Sequence, residues 1–481
     1  MGKKFLFVII TVVLVCSGYF FWSSNQPGTQ VAATLPAGDQ PEITATFPAP
    51  EKTLYRMSLY LDINTRTLYG TTVLTTSNTC GQVLSELWFT IYPDAFRNST
   101  ATPAPASAYY AGFEPAGIEL QEIMVNFKPV DYIREGVSLQ LIPAEDILPG
   151  QDITVEMKWK AQIPRVAYRY GYKEGVYMLG HFYPALNVYD DGVWRKSYDS
   201  AFGDPFCLNC ADYLVRLNIP EAYSMVSTGS VVETIAEDNG RQFITVAAEN
   251  VRDFAMVIAH QYQVLEEAGQ GYTVFMHAPV QSYDNLDWML QETIDILDFF
   301  SCTWGSYPYP EYKVVFVPMQ GFDGMEYSGI VFLSDELLRP RADREHTRFL
   351  LAHETAHQWW YGLVGNDQVR EPWLDEGLAN WGAYKYLNQQ GQATKGSGRT
   401  NLARELKDMH SRDDYYATAY TGGESFWWGL EQELGEEKVK QVLRSYLANY
   451  RFQVATTGDL LQIIQQEAQY DMQEYFNRWF N

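Results

Sequence analysis

Cations and cysteines are both scarce in this chain. Its 35 Lys and Arg face 59 Asp and Glu over 481 residues, a formal charge of −24. No face can then carry the positive surplus that a phosphate backbone demands, which excludes nucleic acid as a partner. Five Cys in so long a chain exclude a disulfide-stapled scaffold. Internal repeats are absent, and low-complexity sequence is confined to one tract near the N-terminus, which excludes a solenoid. What is present is a globular composition, 46% hydrophobic and 20% charged, with length for about three domains at roughly 150 residues each. Aromatics reach 15%, with 34 Tyr and 13 Trp, which suits β-rich structure or aromatic-lined clefts.

Phe5 to Trp22 form a nearly continuous apolar run behind Lys3 and Lys4. About 18 such residues at 1.5 Å each nearly match the thickness of a bilayer core. The paired lysines place the N-terminus in the cytoplasm and the rest outside, as a single-pass anchor over residues 1–22. Two other readings stay open: a cleaved signal peptide, and lipidation at Cys16, although Val15 fills the place of the usual small residue. Residues 23–50, rich in Ser, Thr, Pro, Ala and Gly, read as a flexible tether.

The folded part is expected from Glu51. Leu54 to Leu61 and Leu68 to Thr76, joined at Asn64-Thr65-Arg66, read as a hairpin. Ile153, Val155, Met157 and Trp159 alternate with polar residues, the period of a strand buried on one face. Asn239-Gly240 between two β-rich runs is a two-residue hairpin signal. Residues 51–265 are therefore expected to form an antiparallel β domain. From there on the pattern turns helical, around 284–300 and then near 343–362, 373–389, 398–411, 423–434, 436–449 and 458–467, with a short strand at Lys313–Pro318. The fold class is α+β, with a mostly α domain over 266–481. Cys207 and Cys210 are expected to be a small-loop disulfide or spare thiols, and Cys80 and Cys302 buried small residues.

The strongest local signal is His353-Glu354-Thr355-Ala356-His357 inside an amphipathic segment. One helical turn separates the histidines, so both rings leave the same face and can grip one zinc ion. Such a site needs a third protein ligand and one open position. Glu376 follows His357 by 19 residues on what should be the next helix, and Gly362, Gly365, Asn366 and Asp367 supply a loop that can fold that helix back. Glu354, next to the first histidine, points beside the metal.

On these residues the chain resembles the aminopeptidase N family of gluzincin zinc metallopeptidases, over roughly 51–481 and most densely from Lys313 to Trp428. The resemblance implies a thermolysin-like catalytic domain in which His353, His357 and Glu376 bind one zinc and Glu354 is the general base. The family's GAMEN-type exopeptidase motif corresponds to Asp323-Gly324-Met325-Glu326-Tyr327, where Met325 and Glu326 match and the other three differ. That motif implies that Gly324, Met325 and Glu326 line the substrate site, with Glu326 as anchor of a peptide's α-ammonium. A desolvated ammonium needs such a fixed anion. The family's catalytic tyrosine corresponds to Tyr420, with Gly422 where Lys is usual and Tyr415 and Tyr416 close by. Asp375 and Asn380 are candidates for orienting the ligands.

Two departures carry further expectations. The helical-repeat domain of larger relatives has no counterpart before Asn481, which predicts a more open cleft. The stretch Gly180–Trp194 lacks the family's usual Gln, so no side-chain preference transfers. The implied function is hydrolysis of the N-terminal peptide bond of peptides, outside the membrane. A zinc endopeptidase with an open cleft and a catalytically silent peptide-binding surface protein are the rivals, and neither substrate identity nor oligomeric state follows from the sequence.

Overall fold

A computed structural model describes residues 53–280, 285–389 and 400–480. The expected anchor and tether, 1–50, lie outside the described residues. Among the described ones no helix is long and apolar enough to cross a membrane.

The first hairpin forms as its pattern implies. Leu54–Asp62 pairs antiparallel with Thr67–Ser77, from Leu54 opposite Thr75 to Asp62 opposite Thr67. Thr67–Ser77 pairs in turn with Asp152–Gln162, whose side chains alternate between buried and more accessible. Trp159 lies across this face with its Nε1–H on Thr72 Oγ1 at 3.0 Å. A Cβ at Gly70 would strike its indole ring, so this strand needs glycine there. These strands belong to an eight-stranded sheet that also takes in the hairpin of Ser230–Ala236 with Arg241–Val251. One pair departs from the expected antiparallel pattern: Leu54–Asp62 runs parallel to Ala211–Pro220. Strands about 150 residues apart in the chain meet there, and local turn chemistry carries no record of such a pairing.

The second half is built on a five-stranded mixed sheet of Tyr262–Ala268, Thr273–Pro279, Glu311–Val317, Ile330–Ser334 and Gly324–Tyr327, in that spatial order. Tyr262–Ala268 spans the expected 265/266 boundary yet pairs along its whole length with Thr273–Pro279, so the sheets change over at Gln261. Helix α1 (Leu286–Thr303) forms the crossover between the parallel strands Thr273–Pro279 and Glu311–Val317. Helices α2 (Arg344–Ala356), α3 (Trp373–Tyr386) and α4 (Gly423–Leu434) follow.

Three local expectations are corrected. The described part of 398–411 is irregular, with one short turn at Leu406–Asp408. Arg404 there donates to Asp408 O at 2.7 Å and to both oxygens of Asp414 at 2.6 Å, and these side-chain bonds stand in place of a helical ladder. A last helix, Gln473–Phe480, closes the core by setting Tyr475 and Trp479 against Phe426. Cys302 is exposed and Cys80 half-buried, not interior; Cys207 and Cys210 are free thiols.

The two halves are pinned by Arg252, which is 1% exposed. Its guanidinium donates to the carbonyls of Leu208 (2.7 Å), Tyr361 (2.6 Å), Gly362 (3.3 Å), Leu363 (3.3 Å) and Gln453 (3.0 Å). A buried cation is tolerable only when its N–H fork is satisfied, and here carbonyl dipoles from three stretches of chain do it. Three of those carbonyls follow His357 directly, so the β half holds the loop leaving the histidine helix. The account predicts that Arg252→Met, which keeps much of the volume but strands the carbonyls, destabilises the protein by about 4 kcal/mol or more. Thermal unfolding of the full chain checks it; a melting temperature within about 2 °C of wild type would contradict the pinning role.

Candidate active site

Helix α2 starts at Asp343, whose side chain accepts from the N–H groups of Glu345 and His346. It ends with His357 as its C-cap. His353 and His357 thus leave the last turn of α2 from one face, and both are buried. The next helix, α3, carries Glu376 in its first turn. Cβ atoms at Gly377 of α3 and Gly423 of α4 would each collide with the other glycine's backbone. That close crossing brings the π-helical segment Tyr416–Gly422, which leads into α4, up against Glu376.

The result is a triangle of lone-pair donors. His353 Nε2 and His357 Nε2 are 3.2 Å apart, and Glu376 Oε2 lies 3.4 Å from the first and 3.5 Å from the second. A tetrahedral zinc with bonds of about 2.0–2.1 Å has ligand–ligand edges of roughly 3.3 Å. Glu376 Oε2 is buried with no hydrogen-bond donor, the condition of a ligand atom facing an ion. His357 Nδ1 is turned toward Trp360 O at 3.0 Å, which leaves Nε2 for the metal. Asn380 lies beside the His353 ring.

Electrostatics point the same way. Four buried carboxyl groups, Glu326, Glu354, Asp375 and Glu376, surround two imidazoles. Burial pushes Glu354 up to about 8 and Asp375 up to about 7, with Glu376 adding to both. Burial also lifts Glu326 well above the carboxylate range. Burial disfavours charge at Glu376 too, but His353 and His357 hold it low. A buried acidic cluster so short of positive charge fits a divalent cation at the triangle. The donor set, two imidazoles and one carboxylate, is that of zinc.

Around the triangle the structure gathers the other sequence candidates. Tyr420 OH donates to Glu376 Oε1 at 2.5 Å, and its ring stacks on His353 at 5.8 Å between centroids. Tyr415 OH reaches the same oxygen at 3.3 Å, whereas Tyr416 is partly exposed against the Tyr420 ring. Gly324, Met325 and Glu326 lie on the edge strand Gly324–Tyr327, and they line the same cleft as His353, Glu354 and Glu376. A Cβ at Gly324 would land on the Glu354 carboxylate, so the glycine makes room for that side chain. Asp375 accepts from Asn366 at 3.0 Å and from Gln368 at 2.8 Å.

The cleft is small, about 50 Å³. Tyr168, Arg169, Phe202 and Asp204 from the β half wall it, and the Arg169 guanidinium donates to Asp204. Phe202 packs on Tyr415. Sequence reasoning missed Arg169, Asp204 and Gln368, because each is far from the HExxH pattern or sits in a loop read only as a turn. A groove of about 1090 Å³ lies elsewhere and touches none of the triangle residues; size does not mark the chemistry here.

Residues 288–479 match the peptidase family M1 domain. Aminopeptidase M1-B of Oryza sativa subsp. japonica is 26% identical over 235 residues, 44% of this chain and 27% of the rice protein. Glutamyl aminopeptidase of Rattus norvegicus is 23% identical over 317 residues, 59% of this chain and 33% of the rat protein. The chain thus spans about a third or less of the length of these relatives. Among solved structures, the M1 zinc metallopeptidase from Deinococcus radiodurans is similar at a TM-score of 0.66 and 16% identity, over 89% of this chain and 94% of that one, a likeness of fold. The second half of the chain thus matches the peptidase family M1 domain, and the fold as a whole is like that of the Deinococcus radiodurans M1 zinc metallopeptidase.

Proposed function

We propose that the protein is a zinc-dependent aminopeptidase that removes the N-terminal residue of peptides, with its catalytic part tethered outside a membrane by Phe5–Trp22. The observation that carries the activity is Glu326. Its carboxyl group is buried on the strand edging the cleft, among the groups that would polarise and attack a peptide bond. A peptide's α-ammonium supplies the cation that this carboxyl group lacks, and anchoring there limits cleavage to the first bond. The names of the rice and rat relatives, both aminopeptidases, agree with this reading.

In the mechanism His353, His357 and Glu376 would hold the zinc, whose Lewis acidity would supply polarisation of the scissile carbonyl and a water acidic enough to attack near neutral pH. Glu354, held as a carboxylate by the nearby divalent charge, takes the proton of the attacking water and delivers it to the leaving nitrogen. The single phenolic hydrogen of Tyr420, which rests on Glu376 Oε1, turns to the oxyanion as it develops from the carbonyl, and Tyr415 keeps the carboxylate oxygen paired. Burial keeps that phenol protonated, with its pKa well above the usual value, so it acts as a donor. Tyr415, bonded to Glu376 Oε1, steadies the carboxylate ligand. Arg169 and Asp204 offset each other's charge, so the β half closes the cleft without adding net charge.

Glu354→Gln is expected to cut kcat on aminoacyl arylamides by about 10²–10⁴-fold with zinc content unchanged; turnover near wild type would remove the general base. For Tyr420→Phe the expected loss in kcat is about 10²–10³-fold with KM little altered, and a variant that behaves as wild type would move the donor role elsewhere. One peptide assayed with a free and with an acetylated N-terminus tests the exopeptidase claim: hydrolysis of the free form only is expected, and equal rates would overturn it.

A further inference from the structure

Gln368 occupies a position that the mechanism above does not use. It is 3% exposed and lies in the loop between α2 and α3. Its single amide nitrogen donates to two carboxyl groups, Asp375 Oδ2 at 2.8 Å and Glu326 Oε1 at 3.3 Å. Asp375 precedes the ligand Glu376 on α3. Its other oxygen accepts from Asn366 Nδ2, which also donates to the carbonyl of Glu371. Glu371 Oε1 accepts in turn from the backbone of Thr457. One chain of polar contacts therefore runs from the rim of the large groove at Thr457 and Glu371, through the residue beside Glu376, to the carboxyl group on the far wall of the cleft.

We propose that Gln368 is a positioning residue that sets the distance between the α-ammonium anchor and the metal-binding triangle. The argument is geometric. Glu326 sits on a sheet edge and Glu376 on a helix, two elements that could shift relative to each other. An exopeptidase needs the ammonium site and the scissile carbonyl at a fixed separation, because a misplacement on the scale of 1 Å costs heavily in rate. Gln suits this place because its NH₂ group offers two hydrogens at one atom and so can serve two acceptors. Among the described residues it is the only hydrogen-bond donor to the Glu326 carboxyl group, so one oxygen is fixed and the other is left for the substrate. Any basic side chain in its place would neutralise the anchor, and any carboxylate would repel it.

The inference rests on the aminopeptidase reading, and the test separates the two. Zinc-loaded full-length wild type, Gln368→Met and Gln368→Asn are titrated calorimetrically with an amino-acid hydroxamate, which carries the ammonium, and with acetohydroxamate, which does not. Gln368→Met removes both donated hydrogens at similar volume. Gln368→Asn keeps the amide but is one methylene too short to span both acceptors, and guards against a Met variant that folds poorly. Both variants are expected to lose about tenfold in affinity for the amino-acid hydroxamate, the scale of one hydrogen bond to a charged group, while acetohydroxamate affinity and zinc content hold. For aminoacyl arylamides kcat/KM should fall by more than that factor, with part of the loss in kcat, because a misplaced anchor costs orientation in the transition state as well as binding. An unchanged preference for the ammonium in a folded variant overturns the positioning role, as does an equal loss for both hydroxamates. A wild-type protein indifferent to the ammonium would remove the aminopeptidase reading itself, and this inference with it.

Discussion

Three buried lone-pair donors aimed at one point cannot be stable by themselves, and most of this structure can be understood as the means of holding them there. The Nε2 atoms of His353 and His357 and Oε2 of Glu376 lie 3.2–3.5 Å from one another. Each would rather face a proton donor or water, and all three share the surroundings of further buried carboxyl groups. A cation at the centre relieves that arrangement. The close crossing of α3 and α4 at Gly377 and Gly423 and the C-terminal position of His357 on α2 keep the three from drifting apart.

The β half takes part in the site and does more than flank it. Arg252 satisfies its buried charge on carbonyls just beyond the histidine helix, which fixes the path of the chain toward α3. Next to it Asp253 accepts from the Ser328 N–H at 2.9 Å and from the Tyr361 hydroxyl, joining the glutamate-bearing strand region to the same junction. Arg169 and Asp204 then complete a wall of the cleft. The segment around Phe202 and the tyrosine-bearing π-helical turn line the same cleft.

Much of the candidate site is legible in the sequence, and for a local reason. His353, Glu354 and His357 are set by helical periodicity, and Glu376 by the next helix, so short-range geometry brings them together. Tyr420 was legible only through family resemblance, since nothing in its spacing separates it from Tyr415 and Tyr416; its 2.5 Å contact with Glu376 is what distinguishes it. The alternating strand Asp152–Gln162 and the hairpin at Asn239-Gly240 were readable because period and turn chemistry are local. The parallel pairing of Leu54–Asp62 with Ala211–Pro220 was not, nor was the approach of Arg169 and Asp204, since these depend on contacts between distant stretches. The described part of 398–411 departs from its helical period because Arg404 binds Asp408 and Asp414 through its side chain, which periodicity does not register.

The most direct measurement is crystallography of the full chain with data on both sides of the zinc absorption edge, supported by metal analysis of the same sample. The account predicts one zinc per chain, with its anomalous peak equidistant from His353 Nε2, His357 Nε2 and Glu376 Oε2. A chain purified with zinc that places the ion elsewhere, or one that cannot be loaded while these residues keep their present geometry, would contradict it.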